Sequence, residues 1–296
     1  YARISRAPAT TNTLTQVSDR VAVNLTGPAK TMLSTLYLKA LDAEFERPVL
    51  ADRYAQGAID RIDYDWDSLD IGAAWAPLCT VRTAQYDIWA RRFLARHPHC
   101  TVVHLGCGLD ARVFRLDPGP DVEWYDVDFP DVIALREKVY PSRPNYHLTP
   151  SSATDPSWLD QIPADRPVLF LAEGISMYLT EDEGVSLLRR VVDRFESGEL
   201  QIDFFNWLGI KSQKTQTLVR RSGSVRMAWR TPGVSTGISD SRASWCIEEG
   251  ERGMHVVEAF RGALAGDEGL VVVVMIAGQQ RRGVGVGACQ HDGRGA

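Results

Sequence analysis

Thr101-Val102-Val103-His104-Leu105-Gly106-Cys107-Gly108-Leu109-Asp110 is the stretch on which the fold turns. A short, mostly apolar run from Thr101 to Leu105 passes directly into Gly-x-Gly. This pattern predicts a buried strand, a glycine turn and a helix start, which together aim backbone N–H groups at a ligand. Glycine suits such a turn because a Cβ would block close approach of a ligand to the backbone. Gly106, Gly108 and Ala111 also satisfy the looser pattern G-x-G-x-x-G/A. An acid roughly twenty positions on, Asp126 or Asp128, suits a ribose-hydroxyl acceptor. The loop alone indicates a nucleoside cofactor without saying which one.

Outward from the loop, strands and helices alternate. Val122 to Asp128, Val168 to Ala172 (between Pro167 and Gly174), Leu200 to Phe205 and Leu270 to Ile276 read as strands. Thr180 and Glu183 form a capping-box pattern ahead of Leu188, Val191, Val192 and Phe195, which give the next helix an apolar face. Upstream, Thr26-Gly27-Pro28 looks like a helix start, with Ala29, Met32, Leu33, Leu36 and Ala40 at helical spacing behind it. A second helix is expected from Arg82 to Arg96, with Tyr86, Trp89 and Phe93 on one face and Pro98 closing it.

The expected architecture is α/β: a doubly wound, mostly parallel, Rossmann-like sheet with a helical N-terminal cap. Residues 1–97 form the cap, 98–278 the core, and 279–296 a Gly- and Arg-rich disordered tail; 1–16 form a loose arm. Between Val234 and Ala296 only one good strand can be placed, Leu270 to Ile276.

The whole chain sets further bounds. Its 296 residues are 44% hydrophobic and 24% charged, as expected of a globular protein. A net charge of −5 gives no footprint for nucleic acid. No apolar run approaches the ~18 residues of a spanning helix; the longest, Leu270 to Ala277, is strand-length. The N-terminus starts at Tyr1, as a truncated or processed chain would, and lacks the order of a signal peptide. The five cysteines (79, 100, 107, 246, 289) contain no CxxC pair, so neither a metal site nor a disulfide framework is expected, and reduced cytoplasmic thiols are. Oligomeric state is not legible.

Two features bear on the cofactor. Asp110 puts a carboxylate just behind the glycines, where a pyrophosphate is repelled and the cationic methionine end of S-adenosylmethionine is tolerated. Mainly helical sequence also precedes the first core strand, whereas nicotinamide domains often open with that strand.

Arg82-Thr83-Ala84-Gln85-Tyr86-Asp87, Gly106 to Arg112, Val127-Asp128-Phe129-Pro130, and Ala172-Glu173-Gly174 with Met177-Tyr178-Leu179 resemble the leucine carboxyl methyltransferase family. That family belongs to the class I S-adenosylmethionine-dependent methyltransferases and includes polyketide carboxyl O-methyltransferases of the tetracenomycin type. The resemblance runs from about Val23 to Trp207 and implies S-adenosyl-L-methionine as cofactor. It implies that Arg82 pairs with the carboxylate of the cofactor's methionine moiety, a task suited to a planar fork of donors. Gly106 and Gly108 would line the cofactor with Asp110 alongside, and Asp128 would bind the ribose. Asp155 corresponds to an acid that meets the adenine, although a turn cap before Pro156 accounts for it as well. Glu173 corresponds to a glutamate near the cofactor's amino group or the methyl-transfer centre; a carboxylate ending an apolar strand is costly unless paired. Tyr178 is either a wall of the substrate pocket or an ordinary packed tyrosine.

The activity implied is O-methylation of a carboxylate on a small, polyketide-like metabolite. Such an acceptor is already ionised near neutral pH, and none of the six histidines is clearly placed as a base. His104, inside a strand, reads as a satisfied core histidine, and Cys107 as a small residue between glycines. The alternatives are methylation of a protein C-terminal carboxylate, a NAD-dependent oxidoreductase, and a catalytically silent cofactor-binding homologue, the last favoured by the atypical C-terminus.

Overall fold

Alternating apolar strands and amphipathic helices build one eight-stranded sheet in the computed structural model, which describes residues 20–23, 31–205, 245–247, 254–262 and 270–278. The loose arm, the helix start at Thr26-Gly27-Pro28 and the C-terminal tail lie outside the described residues. Helices α1 (Thr31–Ala43), α2 (Arg53–Arg61) and α3 (Ala76–Arg96) precede the sheet, and the short strands β1 (Val21–Ala22) and β2 (Ile62–Asp63) pair beside them. Then follow β3 (Cys100–Leu105), α4 (Arg112–Leu116), β4 (Val122–Asp128), α5 (Pro130–Val139), β5 (Tyr146–Pro150), α6 (Ser157–Asp160), β6 (Val168–Ala172), α7 (Glu181–Arg194) and β7 (Ser197–Phe205). Strands β8 (Trp245–Ile247), β9 (Met254–Gly262) and β10 (Leu270–Gly278) complete the sheet.

The strand order is β5-β4-β3-β6-β7-β10-β9-β8. Strands β3 to β7 run parallel, and β10, β9 and β8 join antiparallel beyond β7. The chain starts at β3, moves outward through β4 and β5, then crosses back to β6 on the other side of β3. The direction of winding therefore reverses between β3 and β6. In open α/β sheets, ligands bind outside the carboxyl ends of the strands at such a reversal. The Gly106 loop leaves β3 and Glu173 follows β6, so the crevice lies between them.

The period-two alternation of the strands sorts the core onto two faces. Val103 and Leu105 of β3, with Phe170 and Ala172 of β6, pack against Leu187, Leu188 and Val191 of α7. Val102, Leu169 and Leu171 face the other way, onto Tyr86, Trp89 and Phe93 of α3. Each large side chain so buried stabilises the fold by about 1.5–3 kcal/mol. A third cluster sets Met32, Leu33 and Leu36 of α1 against Leu109 and Ala111 of the glycine loop. The capping box of α7 is formed: Glu183 N donates to Thr180 Oγ1 at 3.3 Å and Thr180 N to Glu183 Oε2 at 2.8 Å. Among the described residues, no helix is long and apolar enough to cross a membrane.

Three sequence expectations are corrected. Helix α3 begins at Ala76 rather than Arg82, because Pro77 is tolerated in a first helical turn. Edge strand β5, absent from the strands expected above, carries His147, whose Nε2 stands 2.7 Å from Glu123 Oε2. The C-terminal part contributes three antiparallel strands rather than one. Met254–Gly262 has no continuous apolar run; its strand state comes from pairing with β10, with a register slip between Val274 and Met275.

Candidate active site

The glycine loop is held from below. Gly106 and Gly108 both take positive φ, +64° and +49°. The buried Arg136 of α5 donates through Nη1 to Gly108 O at 2.8 Å and to Asp110 O at 2.9 Å, and Tyr140 OH donates to Leu109 O at 2.6 Å. Arg136 is itself anchored by the buried Asp126, which also accepts from Trp124 Nε1 and Tyr146 OH. Asp126 is thus occupied in holding the loop. Asp128, two residues on at the strand end, accepts from Gly108 N and Phe129 N, both at 2.7 Å. Burial pushes its carboxyl up, against the pull of those two N–H groups. Of the two acids open in the sequence, Asp128 stands beside the glycines.

A buried ion network crosses the crevice. Arg82, on α3, donates through Nε to Glu173 Oε1 at 2.9 Å and through Nη1 to Asp203 Oδ2 at 3.1 Å. Thr83 Oγ1 donates to Glu173 Oε1 at 2.8 Å, and Arg112 Nη2 to Glu173 Oε2 at 2.5 Å. Burial alone would raise the Glu173 carboxyl, but Arg82 and Arg112 outweigh it and hold it well below the usual carboxylate range. Glu173 is therefore ionised, with both oxygens engaged.

Asp110 faces the same network. Lys39 of α1 reaches it at 2.9 Å, Arg115 Nη1 at 2.6 Å and Arg112 Nη2 at 3.5 Å. Its negative charge is thus largely met inside the protein, so the repulsion of a pyrophosphate is weaker than the sequence alone suggests. Arg112 and Arg115 also share Asp87 of α3. The network ties α1, α3, the glycine loop and the end of β6 together.

The remaining residues named from sequence lie apart from one another. Tyr178 is in a 3-10 turn after β6, its hydroxyl 2.9 Å from Thr31 Oγ1 at the start of α1. Burial pushes its pKa up, so it is a neutral phenol. Asp155 is exposed near the sheet edge and accepts from Ser157 N at 2.9 Å; the structure does not bring it into the ion network. His104 is buried between Asp126 and Arg112, 3.2 Å and 3.3 Å from them. Burial pushes the Cys107 thiol well up, which leaves it a poor nucleophile.

Sequence reasoning missed Lys39, Thr83, Asp87, Arg112, Arg115, Arg136 and Asp203. A signal existed for Asp203: an acid inside an apolar strand, the same anomaly that drew notice to Glu173. The others, the Thr83 hydroxyl aside, are single charges on helices, which look solvated until the topology buries them.

The profile of the family described as leucine carboxyl methyltransferase matches residues 17–192. The tetracenomycin polyketide synthesis O-methyltransferase TcmP of Streptomyces glaucescens is 42% identical over 202 residues, covering 68% of this chain and 75% of that protein. The S-adenosyl-L-methionine-dependent methyltransferase dpfgK of Gibberella zeae is 39% identical over 204 residues, covering 62% and 68%. Leucine carboxyl methyltransferase 1 of Caenorhabditis elegans is 27% identical over 150 residues, covering 39% and 45%.

Proposed function

The chain belongs to the leucine carboxyl methyltransferase family, and from that premise we propose that it uses S-adenosylmethionine to methylate a carboxylate of a small, polyketide-like metabolite. Family membership sets aside the nicotinamide reading that the glycine loop left open. The residues at the crevice fit the methyl donor. Gly106 and Gly108 keep the loop free of side chains, Asp128 brings an acid to the strand end for a ribose diol, and Arg82 retains Nη2, which makes no hydrogen bond to a described residue. Arg82 Nη2 would take the carboxylate of the methionine moiety. Asp155, as an exposed cap, supports the adenine less directly.

When bound, S-adenosylmethionine would supply an electrophilic methyl group on its sulfonium: an O–CH3 bond to the acceptor would form in line as the S–CH3 bond breaks, with neutral S-adenosylhomocysteine as the leaving group. The protein's part is to hold donor and acceptor in that line, because positioning alone can remove about 7–11 kcal/mol of barrier. The observation that carries the carboxylate reading is the state of Glu173: ionised, with donors on both oxygens, and so engaged in binding rather than in proton abstraction. Tyr178 is neutral and His104 is buried between charged partners. Among the described residues the crevice thus offers no evident base, and an acceptor that arrives ionised needs none. The Tyr178 to Thr31 bond ties the turn after β6 to the start of α1.

The pH dependence tests this reading. Glu173 stays ionised and Tyr178 neutral through the neutral range, and a carboxylic acceptor has a pKa of about 4. The turnover number at saturating donor is expected to stay flat from about pH 5.5 to 7.5. A tenfold rise per pH unit across that window would point to a phenol losing its proton, and against a carboxylate acceptor.

A further inference from the structure

Asp203 is wholly buried on β7, alongside β6 in the parallel part of the sheet. Its Oδ2 accepts from Arg82 Nη1 at 3.1 Å and its Oδ1 from Gly174 N at 2.7 Å. Gly174 follows Glu173 directly and has φ +72°; a Cβ added there would stand 3.4 Å from Arg82 Nη2. The guanidinium therefore lies within ordinary contact of a backbone position whose positive φ favours glycine. Glu173 takes Nε from one side and has Arg112 as a second cation. Asp203 has no such reserve: among the described residues Arg82 is its one ion-pair partner. A fully buried carboxylate costs stability unless it is paired, and here the pairing serves a single guanidinium.

We propose that Asp203 is a positioning residue for cofactor recognition: with Glu173 it fixes two of the three guanidinium nitrogens of Arg82 and so presents Nη2 to the carboxylate of the cofactor's methionine moiety. An arginine held on two sides has lost its rotamer freedom before the ligand arrives, and the saved ordering appears as affinity. The proposal rests on the reading of Arg82 given above.

Isothermal titration with two ligands separates the possibilities. S-adenosylhomocysteine keeps the amino-acid end, and 5′-methylthioadenosine lacks it while keeping the nucleoside. Asp203→Asn is expected to weaken S-adenosylhomocysteine binding about tenfold, the usual effect of losing a charged hydrogen bond, and to leave 5′-methylthioadenosine within about twofold. In an Arg82→Ala background the same substitution should add nothing, because the two act through one another. Equal weakening of both ligands would assign Asp203 a structural role, and no change in either would remove it from the site; both overturn the proposal. Should Asp203→Asn fail to fold, Asp203→Ser removes the carboxylate without adding volume and should show the same ligand-selective loss. Wild-type protein that binds neither ligand would instead contradict the methyl-donor reading. Wild-type protein that binds the two equally would remove Arg82 from carboxylate recognition, and Asp203 with it.

Discussion

Glu173→Ala is expected to lower the unfolding free energy by about 3–5 kcal/mol and to abolish methyl transfer. The Glu173 side chain is only 7% exposed and meets Arg112, which is 0% exposed, and Arg82, which is 15% exposed. Removing the carboxylate leaves both guanidinium groups and the Thr83 hydroxyl without their shared acceptor. Breaking a buried ion pair from one side is costlier than never having built it, because the orphaned charge keeps its desolvation penalty. Arg82 would also lose the contact that fixes its Nε, so cofactor binding falls with stability. Glu173→Gln separates the two effects: it keeps one oxygen acceptor but turns an amide donor towards an arginine, for an expected loss of about 1–3 kcal/mol. Urea unfolding with parallel initial-rate assays checks both variants. An alanine variant as stable and as active as the parent would mean that Glu173 does not hold the crevice together.

Arg82→Ala is expected to weaken cofactor binding by about 1.5–3 kcal/mol, roughly 10- to 150-fold, the range for a charged hydrogen bond. Its effect on stability should be smaller than that of Glu173→Ala. Glu173 keeps Arg112, and Asp203, whose carboxyl burial already pushes up, can take a proton. Arg82→Lys should not rescue binding, because one ammonium on a flexible stem cannot serve Glu173, Asp203 and a ligand in fixed geometry. Equilibrium binding of S-adenosylhomocysteine reports this directly; affinity within twofold of the parent would take Arg82 out of the site.

The fold was legible where burial writes a pattern. Val168 to Ala172 is an apolar run with sharp ends, Val122 to Asp128 mixes apolar and acidic positions, and both appear as strands with those bounds. Thr180 and Glu183 cap their helix as the sequence indicates, because the signal is local. Edge strand β5 escaped because one side of an edge faces solvent and His147 and Thr149 interrupt its apolar positions. Strand β9 escaped because its pairing partner β10, not its own composition, decides its state.

The candidate site divides in the same way. Gly106, Gly108 and Asp128 are visible because the loop needs those residue types at that spacing, whichever ligand it serves. Lys39, Arg112 and Arg115 are visible only once the winding reverses between β3 and β6 and brings α1, α3 and two strand ends together. Arg112 sat inside a recognised block yet looked solvated, and the structure buries it completely. Asp110 changes meaning most: it is the hub of an ion network before it is a neighbour of any ligand.

Methyl transfer to a carboxylate is the central claim, and the chemistry of the labelled product tests it most directly. The purified protein would be incubated with S-adenosylmethionine labelled in the transferred methyl and with a fractionated metabolite extract from its own source. Mild alkali should release the label as volatile methanol, the behaviour of a methyl ester, and Arg82→Ala should give far less of it. Label that enters a metabolite but survives alkali, as an aryl methyl ether would, contradicts the account.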